Sequence, residues 1–267
     1  YGYCGLLCPA RPGHDSMAGM KEPAPAPGYK FFRQLNTLED RSWVGSKTTF
    51  TLVTARRFFS SERLQDKLAR ALGAEGVLPV KEVLECCEFF ERIREHTRAE
   101  VVADLCCGHG LLGLLFAMFE RGTREVILSD GRIPESQARV IECICQLAPW
   151  VREKVRVHRL DIDEVANVLP EGAAVVSAHA CGLLTDACID LAIRTRGAIG
   201  VLPCCHPERL CPGPPALRLA LGARMAFDID RTYRLERAGY RVRWSEIPAE
   251  ISPMNRILVA GQPGLGR

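Results

Sequence analysis

From residue 97 onward, short apolar runs alternate with amphipathic stretches in a regular order. Val101-Val102-Ala103-Asp104-Leu105 is short and continuously apolar before its acid, the pattern of a strand covered on both faces, and Leu111 to Glu120 reads as the helix after it. Glu125 to Ser129 predicts a second strand and Pro134 to Leu147 a helix opened by its proline. Further strands are expected at 155–160, 173–177 and 197–202, with a helix over 186–194. Repeated strand–helix alternation predicts an α/β fold around a doubly wound parallel sheet, with ligands at the carboxyl ends of its strands. Tyr240 to Ile247 and Asn255 to Ala260 are two more β-like runs around a turn containing Pro248 and Ser252-Pro253. They predict a C-terminal antiparallel hairpin, making a seven-stranded, mostly parallel sheet.

Upstream the pattern changes. Residues 1–28 carry Gly2, Gly5, Pro9, Pro12, Gly13 and a Pro-Ala run with no apolar period, a flexible tail. Residues 29–96 form a second region with helices expected at 62–72 and 80–96, and residues 97–262 form the main domain. Between 29 and 70 nine cations stand against four carboxylates, interleaved with Phe31, Phe32, Trp43, Phe50, Phe58 and Phe59. Charge for phosphates and ring faces for bases is what a nucleic-acid strand needs; the competing reading has the aromatics packing inward and the charges merely solvated.

The chain has 267 residues, a net charge of +3, 47% hydrophobic and 25% charged residues, which excludes a disordered, collagen-like or coiled-coil chain. No apolar run is long enough to span a bilayer, and the start lacks a secretory layout, so a cytoplasmic protein without membrane association or a stable protein partner is expected. Thirteen cysteines, with adjacent pairs at Cys86-Cys87, Cys106-Cys107 and Cys204-Cys205, are unlike a disulfide framework and suit a reducing compartment. No zinc-type spacing occurs, and Cys4, Cys8 and His14 lack a fourth ligand, so no metal is expected.

The sharpest signal is Asp104-Leu105-Cys106-Cys107-Gly108-His109-Gly110-Leu111-Leu112-Gly113, a G-x-G-x-x-G between a predicted strand and helix. Its cofactor-binding candidates are Asp104, Cys106, Gly108 and Gly110, joined by Asp130, where the next strand ends and a carboxylate can accept ribose hydroxyls. The nucleotide is NAD or S-adenosylmethionine. An acid at position 104 repels a pyrophosphate and attracts a methionine ammonium, which favours the sulfonium cofactor.

Together with the terminal hairpin, this layout resembles the class I S-adenosylmethionine-dependent methyltransferases, which are Rossmann-like, over about residues 98–262. The resemblance implies that Asp161 and Ile162, after the third strand, flank adenine. Two further turns carry Ser177-Ala178-His179-Ala180-Cys181-Gly182-Leu183-Leu184-Thr185-Asp186 and Pro203-Cys204-Cys205-His206-Pro207. The H-x-C-G-x-x-T-D and P-C-C-H patterns, with Ser252 to Arg256, resemble a narrower branch. It includes a eukaryotic tRNA ribose 2′-O-methyltransferase family and the methyltransferase domain of proteins with a glutathione-transferase C-terminal-like region. The chain lacks the N-terminal zinc-finger set of the tRNA family.

The resemblance implies a methyltransferase using S-adenosylmethionine, with RNA (tRNA or rRNA) as the favoured acceptor. A protein or small-molecule acceptor, an inactive RNA-binding relative and an NAD-dependent oxidoreductase are the alternatives. Candidate catalytic residues are His179, Cys181, Asp186, Cys204 and His206. For a hydroxyl acceptor His179 or His206 is the base and Asp186 an orienter or helix cap. His179 also fits a strut shaping the cofactor loop. Cys204 or Cys205 beside His206 could instead add to a pyrimidine. The same loops could also bring His179, Cys181, Cys204, Cys205, His206 and Cys211 to a shared ion, or pack them as small buried groups.

Overall fold

The structure, a computed structural model, describes residues 27–262; the tail candidates Cys4, Cys8 and His14 lie outside them. Seven strands form one sheet: β1 (Val101–Leu105), β2 (Glu125–Ser129), β3 (Val155–His158), β4 (Ala174–Ser177), β5 (Ile199–Val201), β6 (Val242–Glu246) and β7 (Arg256–Ala260). Their order is β3-β2-β1-β4-β5-β7-β6. The first five are parallel neighbours, while β7 runs antiparallel to β5 and β6. The parallel sheet and the closing hairpin are therefore as the hydrophobic pattern anticipates.

Period-two alternation divides the core between the two sheet faces. Val102, Val126, Leu128, Val176 and Val259 belong to one apolar cluster, with helices α3 (Val80–Ile93), α4 (Leu111–Phe119) and α5 (Gln137–Leu147). Ala103, Leu105, Ile127, Val175 and Leu258 belong to the other, with α7 (Ile162–Val165) and α8 (Leu184–Thr195). The short α6 (Val151–Lys154) leads into β3.

The N-terminal region joins the first of these clusters. Phe31, Phe32, Phe50 and Phe59 are buried there, and Phe31 packs edge-on against Phe119 of α4 with ring centroids 5.4 Å apart. Each such ring contributes roughly 1.5–3 kcal/mol by leaving water. These four rings are spent on the core, so the aromatic half of the base-stacking expectation fails for them. Beneath them, the buried Glu88 carboxylate accepts the backbone N–H groups of Lys30 and Phe31 and pairs with Arg92 one helical turn along α3. Arg92 in turn donates to Gly28 O at 2.6 Å, so one ion pair anchors the start of this region.

Besides the single-turn α6 and α7, two longer helices escape the sequence reading beside the anticipated α2 (Leu64–Glu75): α1 (Leu52–Phe58) and α9 (Pro215–Arg237). In α1 only Ala55 is buried, so no apolar stripe marks it. In α9 the inward face holds Ala226, Phe227, Asp228, Arg231 and Leu235, with charges where a sequence pattern looks for hydrocarbon. Gly222, at φ +79° and ψ 159°, also breaks its period.

Candidate active site

The turn after β1 is shaped by two glycines. Gly110 caps α4 at φ +77°, the left-handed region that glycine enters without strain. Gly113 lets α4 lie against β2, since a Cβ there would come within 2.4 Å of Leu128 Cδ2 and 3.0 Å of Asp104 Cβ. Gly108 N–H donates to Asp130 Oδ2 at 2.9 Å and Gln137 Nε2 donates to Gly108 O at 2.7 Å, tying the turn to the end of β2 and to α5.

A cleft of about 260 Å³ opens at the carboxyl ends of β1, β2 and β3. Leu105, Cys106, Asp130, Asp161, Ile162 and Leu184 are among its lining residues. Four predicted cofactor residues, Cys106, Asp130, Asp161 and Ile162, thus share one wall. Asp161 also caps α7 in a reciprocal arrangement with Glu164, so its turn-capping and cleft-lining readings hold together. Leu160, Val165 and Leu184 add apolar wall that the motif did not announce.

Asp104 stands behind this wall rather than on it. It is buried, and its Oδ2 accepts the Gly113 N–H at 2.8 Å. Burial pushes its carboxyl up to about 7, against the pull of the Gly113 hydrogen bond. Such an acid is relieved by a nearby cation.

On the reaction face, the loops after β4 and β5 bring the Sγ atoms of Cys181 and Cys204 to 3.0 Å, with Cys205 3.6 Å from Cys181 and 3.8 Å from Cys204. Burial raises the thiols of Cys181 and Cys204, and Cys204 is raised further by its neighbouring thiols. Burial is the largest cause at both, and at Cys181 the Cys204 hydrogen bond only partly offsets it, a poor setting for a ring-adding nucleophile. Cys211 lies apart from the sulfur triangle, its thiol directed to Ala223 O at 3.8 Å.

Nε2 of His179 is buried with no partner among the described residues. Glu82 of α3 is near enough to interact with it: burial pushes the Glu82 carboxyl up, and a charge on His179, when it is protonated, works against that shift. Glu82 was missed because it sits in an N-terminal helix, remote in sequence from every strand-end motif.

The other two acid–base candidates, Asp186 and His206, are engaged by side chains of α9. Asp186 is the third residue of α8, whose N-cap is Leu183, so it does not cap the helix. Its carboxylate accepts from Arg231 at 2.7 Å and Arg234 at 3.0 Å. His206 Nε2 lies 3.4 Å from Asp228 Oδ1, and its Nδ1 is buried without a partner. Burial pushes the Asp228 carboxyl up, but hydrogen bonds from His206 and Arg256, with the charge of Arg231, hold it below the usual carboxylate range. Asp228 and Arg231 went unread because α9 itself did, and Arg256 was read only as part of the Ser252 to Arg256 pattern.

The sheet order and the cleft at its strand ends define a Rossmann-like methyltransferase fold. Residues 79–209 match the family model described as a methyltransferase domain. Among solved structures, a protein from Corynebacterium glutamicum is 18% identical with a TM-score of 0.47, covering 81% of this chain and 97% of its own. A SAM-dependent methyltransferase from Aquifex aeolicus is 16% identical with a TM-score of 0.39, covering 66% and 90%. The B. subtilis M1A22 tRNA methyltransferase TrmK is 14% identical with a TM-score of 0.41, covering 66% of each chain. Likeness at this level is silent on substrate. Comparison with curated proteins gave no match.

The match over residues 79–209 supports methyltransferase activity with S-adenosylmethionine as the methyl donor. The residues present suit that donor: a cleft with apolar walls and two carboxylates, and behind it a buried acid with a single protein donor among the described residues.

Proposed function

We propose that the enzyme methylates RNA. Asp130 receives the ribose hydroxyls of the donor, Asp161 and Ile162 flank its adenine, and Asp104 balances its ammonium. Cys106, Gly108 and Gly110 shape the turn against which the donor lies. The acceptor enters across the loops after β4 and β5, where His179 takes the proton of a hydroxyl or amine. His206, engaged by Asp228, holds the far loop in place.

One observation supports RNA above other acceptors. Lys30, Arg33, Lys47, Arg56, Arg57 and Arg63 are exposed, and none of them is in an ion pair within the described residues. Exposed cations left unpaired along one stretch of the chain are what a phosphate backbone binds. The resemblance of the H-x-C-G-x-x-T-D and P-C-C-H turns to a tRNA methyltransferase family points the same way.

Labelled methyl transfer from S-adenosylmethionine tests this on total RNA, a total protein extract and a small-molecule extract. Incorporation into RNA, lost on nuclease treatment, is expected. Label confined to protein or to small molecules would overturn the RNA assignment, and no label anywhere, with donor binding intact, would make the protein an inactive relative.

A further inference from the structure

Among the described residues, Cys181, Cys204 and Cys205 are the one group of three metal-ligating side chains whose ligand atoms all lie within 4.8 Å of one another. They come from separate loops. Cys181 follows β4 and the adjacent pair follows β5, strands that are parallel neighbours with Ser177 opposite Val201. Ligands from two loops meeting at one point need a reason beyond local turn chemistry, and neither loop is a tight hairpin that would force the meeting.

The distances distinguish three uses of such a cluster. A disulfide engages two sulfurs and leaves the third idle. A covalent nucleophile needs one thiol beside a cation, not three thiols together. A tetrahedral zinc–thiolate centre, with Zn–S of about 2.3 Å, places its sulfurs about 3.8 Å apart. Two edges of this triangle, 3.6 and 3.8 Å, already have that length, and the third, 3.0 Å, opens to it by a small movement of one side chain. Cys181 and Cys205 are exposed and Cys204 is half-buried, so an ion has an entry path and a face left open.

We propose that Cys181, Cys204 and Cys205 bind one soft divalent cation of the zinc class through their sulfurs, with a fourth position open to solvent on the reaction face. The ion clamps the loops after β4 and β5 together beside Leu184, the residue through which this face joins the donor cleft. The site stands independently of the acceptor's identity, since it rests on sulfur geometry alone.

The test uses the full chain, purified under reducing conditions, stripped with chelator and titrated with Zn(II), then with Co(II). Metal analysis should find a bound equivalent that disappears in Cys181→Ser and in Cys205→Ser and persists in Cys143→Ser, a cysteine far from the triangle in sequence. With Co(II), a thiolate-to-cobalt charge-transfer band should appear and weaken at least about tenfold in affinity with each ligand variant. Circular dichroism establishes that the variants fold; the two exposed cysteines are chosen because truncating their thiols leaves no core cavity. Metal content unchanged in both variants, no binding at all, or an intact mass two hydrogens light that reverts with reductant and without any metal, would each overturn the proposal.

Discussion

At the scale of single residues, Asp104 ties stability to function. Its carboxyl titrates near 7 in the folded protein against 3.8 in the unfolded chain, because burial disfavours the charge. A raised folded value means the contribution to stability is fully present below the unfolded value and is lost as pH rises through about 7. The loss is on the order of 4 kcal/mol at most, since each unit is worth about 1.36 kcal/mol. Asp104→Asn keeps an acceptor for Gly113 N–H and removes the charge. Its melting temperature should therefore exceed that of the wild type at pH 8, converge with it near pH 4, and come with a loss of S-adenosylmethionine affinity of about tenfold or more, the worth of one buried charge contact. Parallel pH-dependent melts would refute this. Gly113→Ala isolates sterics from charge: its Cβ would meet Leu128 Cδ2, Val126 Cγ1 and Asp104 Cβ at 2.4–3.0 Å, side-chain atoms that are themselves buried and have little room to yield. It should cost about 1–3 kcal/mol in urea unfolding.

At the scale of elements, α9 is held by charges. Arg231 is fully buried between Asp186 of α8 and Asp228 of its own helix, and Asp228 also takes Arg256 of β7 at 2.7 Å. Asp228→Ala leaves two guanidinium groups facing each other with one carboxylate fewer, and removing one partner of a buried pair costs about 3–5 kcal/mol. Because the Asp228 carboxyl is held below its unfolded value of 3.8, its stabilising share is present above that value and disappears as pH falls through the lower folded one. Hydrogen exchange should accordingly find α9 opening in acid before α3, whose inward face is mostly apolar. Simultaneous opening of both helices would remove the distinction. The same chemistry decides what the sequence could disclose. Strands β1, β2 and β4 were legible because hydrocarbon fills most of both their faces, and the glycine turn because Gly110 and Gly113 answer to steric demands that only one residue type meets. The helix α9 was illegible because its inward positions are ionic, and Glu82, near His179, because tertiary packing rather than any local pattern brings it there. Cys106, Asp130, Asp161 and Ile162 were placed from their positions at strand ends, whereas Asp186 carried a capping signature and was claimed instead by two arginines.

At the scale of the molecule, the charge of the N-terminal region and its aromatics part company. The rings that would have stacked on bases sit inside, with Phe32 and Phe59 fully buried, while the cations remain outside. Even the half-buried Trp43 and Phe58 are stacked on each other, 4.3 Å between centroids and 11° from parallel. An RNA held by such a surface is held through its phosphates, so binding should be insensitive to base sequence and steeply dependent on salt. Replacing Lys47, Arg56 and Arg63 together by alanine removes three exposed cations that pair with no carboxylate among the described residues, and so disturbs no ion pair. On single-stranded RNA each phosphate contact contributes about 0.7 to the slope of log affinity against log salt, so the triple variant should lower that slope by about 2 if all three cations engage. Donor affinity should stay as in the wild type, because the cleft between β1 and β3 contains none of these residues. Filter binding across a salt series, run beside donor calorimetry, reads both quantities. An unchanged slope with wild-type methyl transfer to RNA would move the RNA track elsewhere on the surface, toward the exposed loops at the reaction face, and would leave the basic segment with no part in binding.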